Sequence, residues 1–164
     1  MQKDTIFALS TPQGVGGVAV IRISGPQAQA ALQALFQPAG TSPMEPRKLI
    51  YGRFVFDGTQ IDDGMAVLFC APASYTGEDS AELHCHGSLA VVQQLLGALG
   101  TLPGLRPAEP GEFTKRAFLH GKMDLSQAEA VMDLIGAEGL AAARQSLSQL
   151  HGTLFAKVDG ICDA

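Results

Sequence analysis

Residues 74–87 read SYTGEDSAELHCHG and hold three acids, two histidines and a cysteine. Glu82, His84 and His86 alternate with Leu83 and Cys85. An extended strand sends successive side chains to opposite faces, so the acid and both histidines share one face. Two imidazoles and a carboxylate so arranged could hold a metal ion. Further ligands would have to come from His120 or His151, and neither stands at ligand spacing. The other reading makes the histidines hydrogen-bonded strand residues before a turn at Gly87. Glu82 is then the odd residue. A carboxylate set inward between apolar neighbours must be paired or must accept strong hydrogen bonds. The adjacent ring N–H and amino group of a pterin or guanine would supply two donors together. Glu78 and Asp79 follow Gly77 in a turn and are read as structural.

Arg22 stands near the end of the segment GVAVIRIS. On strand parity it shares a face with Val18 and Val20, while Ala19, Ile21 and Ile23 face the other way. Such an arginine must find an anion or reach water. An internal ion pair and a bound carboxylate or phosphate both satisfy it. The stretch GVGGVA, residues 14–19, matches GxGxxA, but a strand follows it where the dinucleotide fingerprint needs a helix. It is read as a turn between strands. No GxxxxGK[ST] occurs in the chain. GEFTKRAFLHGK carries Lys115, Arg116 and Lys122. Lys115 and Arg116 are expected on a solvated helix face. Lys122 precedes the helix cap Asp124 at a domain junction, where it could reach an anionic tail.

These residues need a scaffold. TIFALS and GVAVIRIS read as strands, and residues 25–40 turn helical, with Pro26 in the first turn and Leu32, Leu35 and Phe36 on one face. LIYGRFVF and IDDGMAVLFC flank the turn DGTQ, a hairpin signal. The apolar run 65–70 predicts a strand buried on both faces. AELHCH is a further strand, and residues 88–104 form a helix apolar at Leu89, Val92, Leu95, Leu96 and Leu99. The order β-β-α-β-β-β-α predicts an α+β domain with a mixed sheet. Beyond Asp124 the composition is helical. Ser126 with Glu129 fits capping-box spacing, and Gly136 and Gly139 mark a break. The last helix places Leu147, Leu150, Leu154 and Val158 on one stripe with nothing after it to seal that stripe, so the chain is expected to stop inside a helical domain.

The chain of 164 residues is 46% hydrophobic and only 16% charged, with a net charge of −5. The charge argues against a broad basic footprint on nucleic acid. Cys70, Cys85 and Cys162 are an odd number without CxxC spacing, which fits a reducing cytoplasm better than a disulfide framework. Neither a signal peptide nor a membrane span is evident.

Three segments in order, TPQGVGGVAVIRISG, SYTGEDSAELHCHG and PGEFTKRAFLHGKMDLSQAEAVMDLI, resemble the N-terminal part of the MnmE/TrmE tRNA-modification GTPases. The resemblance runs from Thr5 to the end and is weakest between residues 38 and 60. It implies a tetrahydrofolate-binding and dimerisation domain over residues 1–120, similar in fold to the folate domain of aminomethyltransferases. Residues 121–164 would open a truncated helical domain. The family's G domain, which takes GTP, Mg²⁺ and K⁺, and its C-terminal CxGK motif have no counterpart here, and Cys162 lacks the Gly-Lys that would follow. No catalytic residue is assigned to this stretch. The resemblance implies Arg22, Glu82 and Lys122 as ligands of 5-formyl- or 5,10-methylene-tetrahydrofolate. Glu82 would accept from the pterin edge, while Arg22 or Lys122 neutralises the glutamate tail. His84 and His86 would be secondary contacts. The whole protein would work as a homodimer with the FAD protein MnmG, adding a carboxymethylaminomethyl-type group to the wobble uridine of tRNA. Two other readings remain: a free-standing folate-dependent aminomethyltransferase-like protein, and a metal-binding interaction domain built on His84 and His86.

Overall fold

The computed structural model describes residues 4–40 and 43–150. His151, Leu154, Val158 and Cys162 lie outside the described residues. The chain separates into two compact units, residues 1–110 and 111–164.

The first unit is built on a seven-stranded mixed sheet. Its strands are β1 (Thr5–Leu9), β2 (Gly16–Ser24), β3 (Phe36–Pro38), β4 (Ile50–Phe56), β5 (Thr59–Phe69), β6 (Ser80–Gly87) and β7 (Leu105–Pro107), in the spatial order β3-β4-β5-β6-β2-β1-β7. Every pair is antiparallel except β1 with β7. The helices α1 (Ala28–Leu35) and α2 (Leu89–Thr101) carry the crossovers from β2 to β3 and from β6 to β7. The central strands β2 and β6 are antiparallel neighbours, and their crossovers run to opposite edges. Two right-handed crossovers so related deposit both helices on the same face. The core agrees. Leu32 and Leu35 of α1, with Leu95 and Leu99 of α2, share one buried cluster with Ile21, Ile23, Leu83 and Cys85.

Strand parity is borne out on both central strands. Ala19, Ile21 and Ile23 are buried and Val20 and Arg22 are not; Leu83 and Cys85 are buried while Glu82 and His84 are half-buried and His86 is exposed. The DGTQ hairpin is also found. Asp57 and Gly58 both have left-handed backbones, at φ 49° and 73°, as a two-residue turn matched to strand twist requires. The apolar run in β5 is buried on both faces only over Ala66, Val67 and Leu68; Met65 and Cys70 are exposed.

Two short strands escaped the sequence reading. Phe36, expected in the helix, leaves it with φ −119° and ψ 128° and pairs opposite Phe54. Pro38, which has no N–H to donate, sits at the edge of the sheet, where proline is tolerated. β7 is equally short and also ends in proline.

In the second unit lie α3 (Glu112–Leu119), α4 (Leu125–Ile135) and α5 (Leu140–Leu150). α4 and α5 run antiparallel, since Gln127 Nε2 near the start of one donates to Leu150 O at the end of the other, at 2.8 Å. Gly136 caps α4, and the expected break falls between it and Gly139. Asp124 is the N-cap, but the capping box closes with Gln127 instead of joining Ser126 to Glu129. The Asp124 carboxylate accepts from the Gln127 amide at 2.8 Å and from Ser126 Oγ at 2.7 Å. These bonds, the amide first, hold its carboxyl below the usual range.

The expectation of a solvated Arg116 is overturned. Its side chain is 1% exposed and pairs with Glu112, itself 3% exposed, at 3.1 Å one helical turn away. A buried guanidinium needs a buried anion, and Glu112 stands at the i−4 position that supplies one.

Candidate functional site

The side of β2 and β6 turned away from α1 and α2 carries the polar residues. Arg22 and Glu82 lie directly opposite each other in the β2–β6 register, although 60 positions separate them. Arg22 Nη2 and Nε donate to the same carboxylate oxygen, Oε1, at 2.8 and 3.0 Å. The other oxygen, Oε2, lies 3.3 Å from His84 Nε2. Glu82 thus meets internally the demand for partners that its sequence context raised. Its carboxyl is held below the ordinary value, first by the His84 hydrogen bond and then by Arg22, against the opposing effect of burial. Of a carboxylate's roughly four lone-pair positions, the pair and the histidine occupy three, and among the described residues nothing takes the second one on Oε2.

Tyr75 completes this corner. The Arg22 guanidinium carbon sits 5.1 Å from the centroid of its ring, a cation–π arrangement. Tyr75 belongs to the loop between β5 and β6, which a hydroxyl network ties down. Ser24 Oγ shares a 2.7 Å bond with Thr76 Oγ1 and donates to Glu78 Oε2 at 2.8 Å. Thr76 and Ser80 lie 3.3 Å apart, and Ser24, Thr76 and Ser80 are all buried. Asp79 Oδ1 accepts from the Ala71 amide at 2.8 Å, and its carbonyl accepts from the Gly25 amide at 2.9 Å. Glu78 and Asp79 therefore hold the loop, as their turn position foretold.

Arg22, Glu82, Tyr75, Phe69, Ser80 and Arg47 are among the residues lining a cavity of about 400 Å³. That volume lies in the range of small-molecule sites. Sequence reasoning singled out only Arg22 and Glu82 of these six, and Tyr75 and Arg47 are the misses that bear on the chemistry. Tyr75 stands inside the quoted motif, where an aromatic side chain ahead of a Thr-Gly turn was the available signal. Arg47 falls where the resemblance is weakest and has no periodic neighbours to point to it.

Lys122 belongs to the second unit, in the turn after α3, where its amide donates to Ala117 O at 2.9 Å. His86 is held elsewhere than His84: its amide and its Nδ1 both meet the Asp62 carboxylate at 2.8 Å. Each histidine ring thus faces a carboxylate. Among the described residues, no three His, Cys, Asp or Glu side chains are grouped to hold a metal ion. Cys85 points into the core, and burial, with Asp62 second, pushes its thiol up to about 11.

A family model described as the N-terminus of the GTP-binding protein TrmE matches residues 5–122. The chain belongs to the TrmE N-terminal family. The matched span crosses the division between the two compact units. Among TrmE relatives, a tRNA modification GTPase MnmE of Parvibaculum lavamentivorans is 52% identical over 153 residues, covering 92% of this chain and 34% of the relative. Its counterpart in Rhodospirillum rubrum is 47% identical, over 98% of this chain and 37% of the relative. In Natranaerobius thermophilus the figures are 45%, 99% and 36%. The chain thus spans about a third of the length of these TrmE relatives. Among the described residues no helix is long and apolar enough to cross a membrane.

Proposed function

We propose that this chain is the folate-binding and dimerising module of a tRNA modification GTPase, with the folate-domain fold of aminomethyltransferases. The observation that carries the reading is the Arg22–Glu82 pair lining a cavity of small-molecule size beside Tyr75. An ionised carboxylate with an open lone pair accepts from the amino edge of a pterin, and a flat aromatic wall suits a flat ring. Arg22, already engaged by Glu82, holds that acid charged and aimed. Lys122 is the third residue the resemblance implies, and its part is tested by its own alanine variant.

The bound cofactor is 5-formyl- or 5,10-methylene-tetrahydrofolate, whose one-carbon unit goes to the wobble uridine of tRNA. In the full-length protein a G domain hydrolyses GTP with Mg²⁺ and K⁺, MnmG is the partner, and the assembly is a cytoplasmic homodimer. The test is calorimetric titration with 5-formyl-tetrahydrofolate, alongside sedimentation to read the oligomeric state. Saturable binding lost in the Glu82→Gln variant supports the reading; absence of heat with the unmodified chain removes it.

A further inference from the structure

We infer that Arg47 is the residue that selects for an anionic tail on the ligand of the Arg22–Glu82 cavity, an inference resting on the folate reading above. Three charged residues line that cavity: Arg22, Arg47 and Glu82. Arg22 and Glu82 neutralise each other across 2.8 Å. Arg47 is left as the uncompensated charge, so this wall is locally cationic in a chain whose net charge is −5. No ion pair to the Arg47 side chain is found among the described residues. A ligand carboxylate entering here meets a guanidinium whose planar fork matches it with two parallel donors.

Arg47 is exposed, and its backbone is held in place. Its φ is 65°, in the left-handed region that a non-glycine residue adopts only where its surroundings determine it. The Arg47 amide donates to Leu68 O at 2.7 Å, so the residue is tied to the end of β5 at the cavity rim. The two charges come from different segments: Glu82 sits on the central strand β6, and Arg47 on the connection before β4. A ligand with a donor edge at one end and an acid at the other spans the two. Arg22 has its charge balanced by Glu82, which engages its Nε and Nη2, so Arg47 carries the charge that a tail would meet.

The experiment is a cycle of two ligands and two variants measured by calorimetry. The ligands are 5-formyl-tetrahydrofolate and 6-methyltetrahydropterin, which has the pterin edge and lacks the tail. Arg47→Gly removes the guanidinium while accepting the left-handed backbone without strain; Arg47→Lys retains the charge without the fork. The expected result is a loss of at least tenfold in affinity for the folate in Arg47→Gly, a smaller loss in Arg47→Lys, and no change for the tail-less pterin in either. Equal weakening of both ligands, or none for the folate, overturns the inference while leaving the folate reading in place. Failure of the unmodified chain to bind either ligand removes both. Melting curves for each variant establish that it folds.

Discussion

Arg22 on β2 and Glu82 on β6 face each other across adjacent strands, and two guanidinium nitrogens converge on a single carboxylate oxygen at 2.8 and 3.0 Å. The second oxygen lies 3.3 Å from His84 Nε2. The pair therefore serves two ends. It stabilises a half-buried acid in the centre of the sheet, and it presents that acid, ionised, to the cavity.

Replacing Glu82 by Gln turns one acceptor oxygen into a donor and leaves Arg22 without its anion. A charge-assisted hydrogen bond contributes about 1.5–3 kcal/mol. Folate affinity is expected to fall roughly 10- to 100-fold, while the unfolding midpoint drops modestly. Calorimetry and a melting curve on the same preparation separate the two effects. Unchanged affinity would remove Glu82 from the ligand's contacts.

The acid limb of stability follows from the same group. The folded-state value of Glu82 lies below the ordinary 4.5. A depressed carboxyl contributes stability that is complete above the unfolded value and is lost as pH falls through the folded one. The stability gap between the unmodified chain and Glu82→Gln is therefore expected to be widest above pH 4.5 and to narrow at lower pH. Urea titrations from pH 6 to 3 measure it. A gap that stays constant over that range rules out this pair as its source.

Arg116→Met leaves Glu112 as a buried charge without its helical-turn partner. Removing one member of such a pair costs about 3–5 kcal/mol. The double variant with Glu112→Gln is expected to recover part of the loss, because no net charge then remains inside. Urea denaturation of the two variants reports the difference. If the single variant were as stable as the parent, the pair would contribute nothing at that site.

Gly87 closes β6 against Gly16, and a Cβ there would come within 2.5 Å of the Gly16 carbonyl oxygen and 2.8 Å of its carbon. Those atoms are backbone and have little room to retreat. Gly87→Ala is expected to destabilise the fold by about 1–3 kcal/mol, as overpacking does. It should also raise amide exchange at the start of β2 more than at Ile21 or Ile23. Uniform protection along β2 would contradict the close approach.

Much of the scaffold could be read locally. The parity of β2 and β6, the Asp57-Gly58 hairpin and the break before Gly139 each depend on neighbours within a few positions. The failures have local causes too. Phe36 continued the apolar face of α1, so nothing distinguished a last helical turn from a short edge strand. Arg116 sat in a basic run that reads as solvated, although Glu112 stood four positions away as its partner.

What the sequence alone determined was which side chains share a face: strand and helix periods are local properties of the backbone, and they set Glu82 and Arg22 opposite the apolar residues of their own strands. It also carried the family, through three motifs in order. Only the tertiary structure decided that Arg22 meets Glu82, and that Tyr75 and Arg47 line the same cavity. Those encounters depend on the register between strands 60 positions apart and on where two loops come to rest. Register is set by the summed packing of the whole sheet against α1 and α2, and no short window of residues contains that sum.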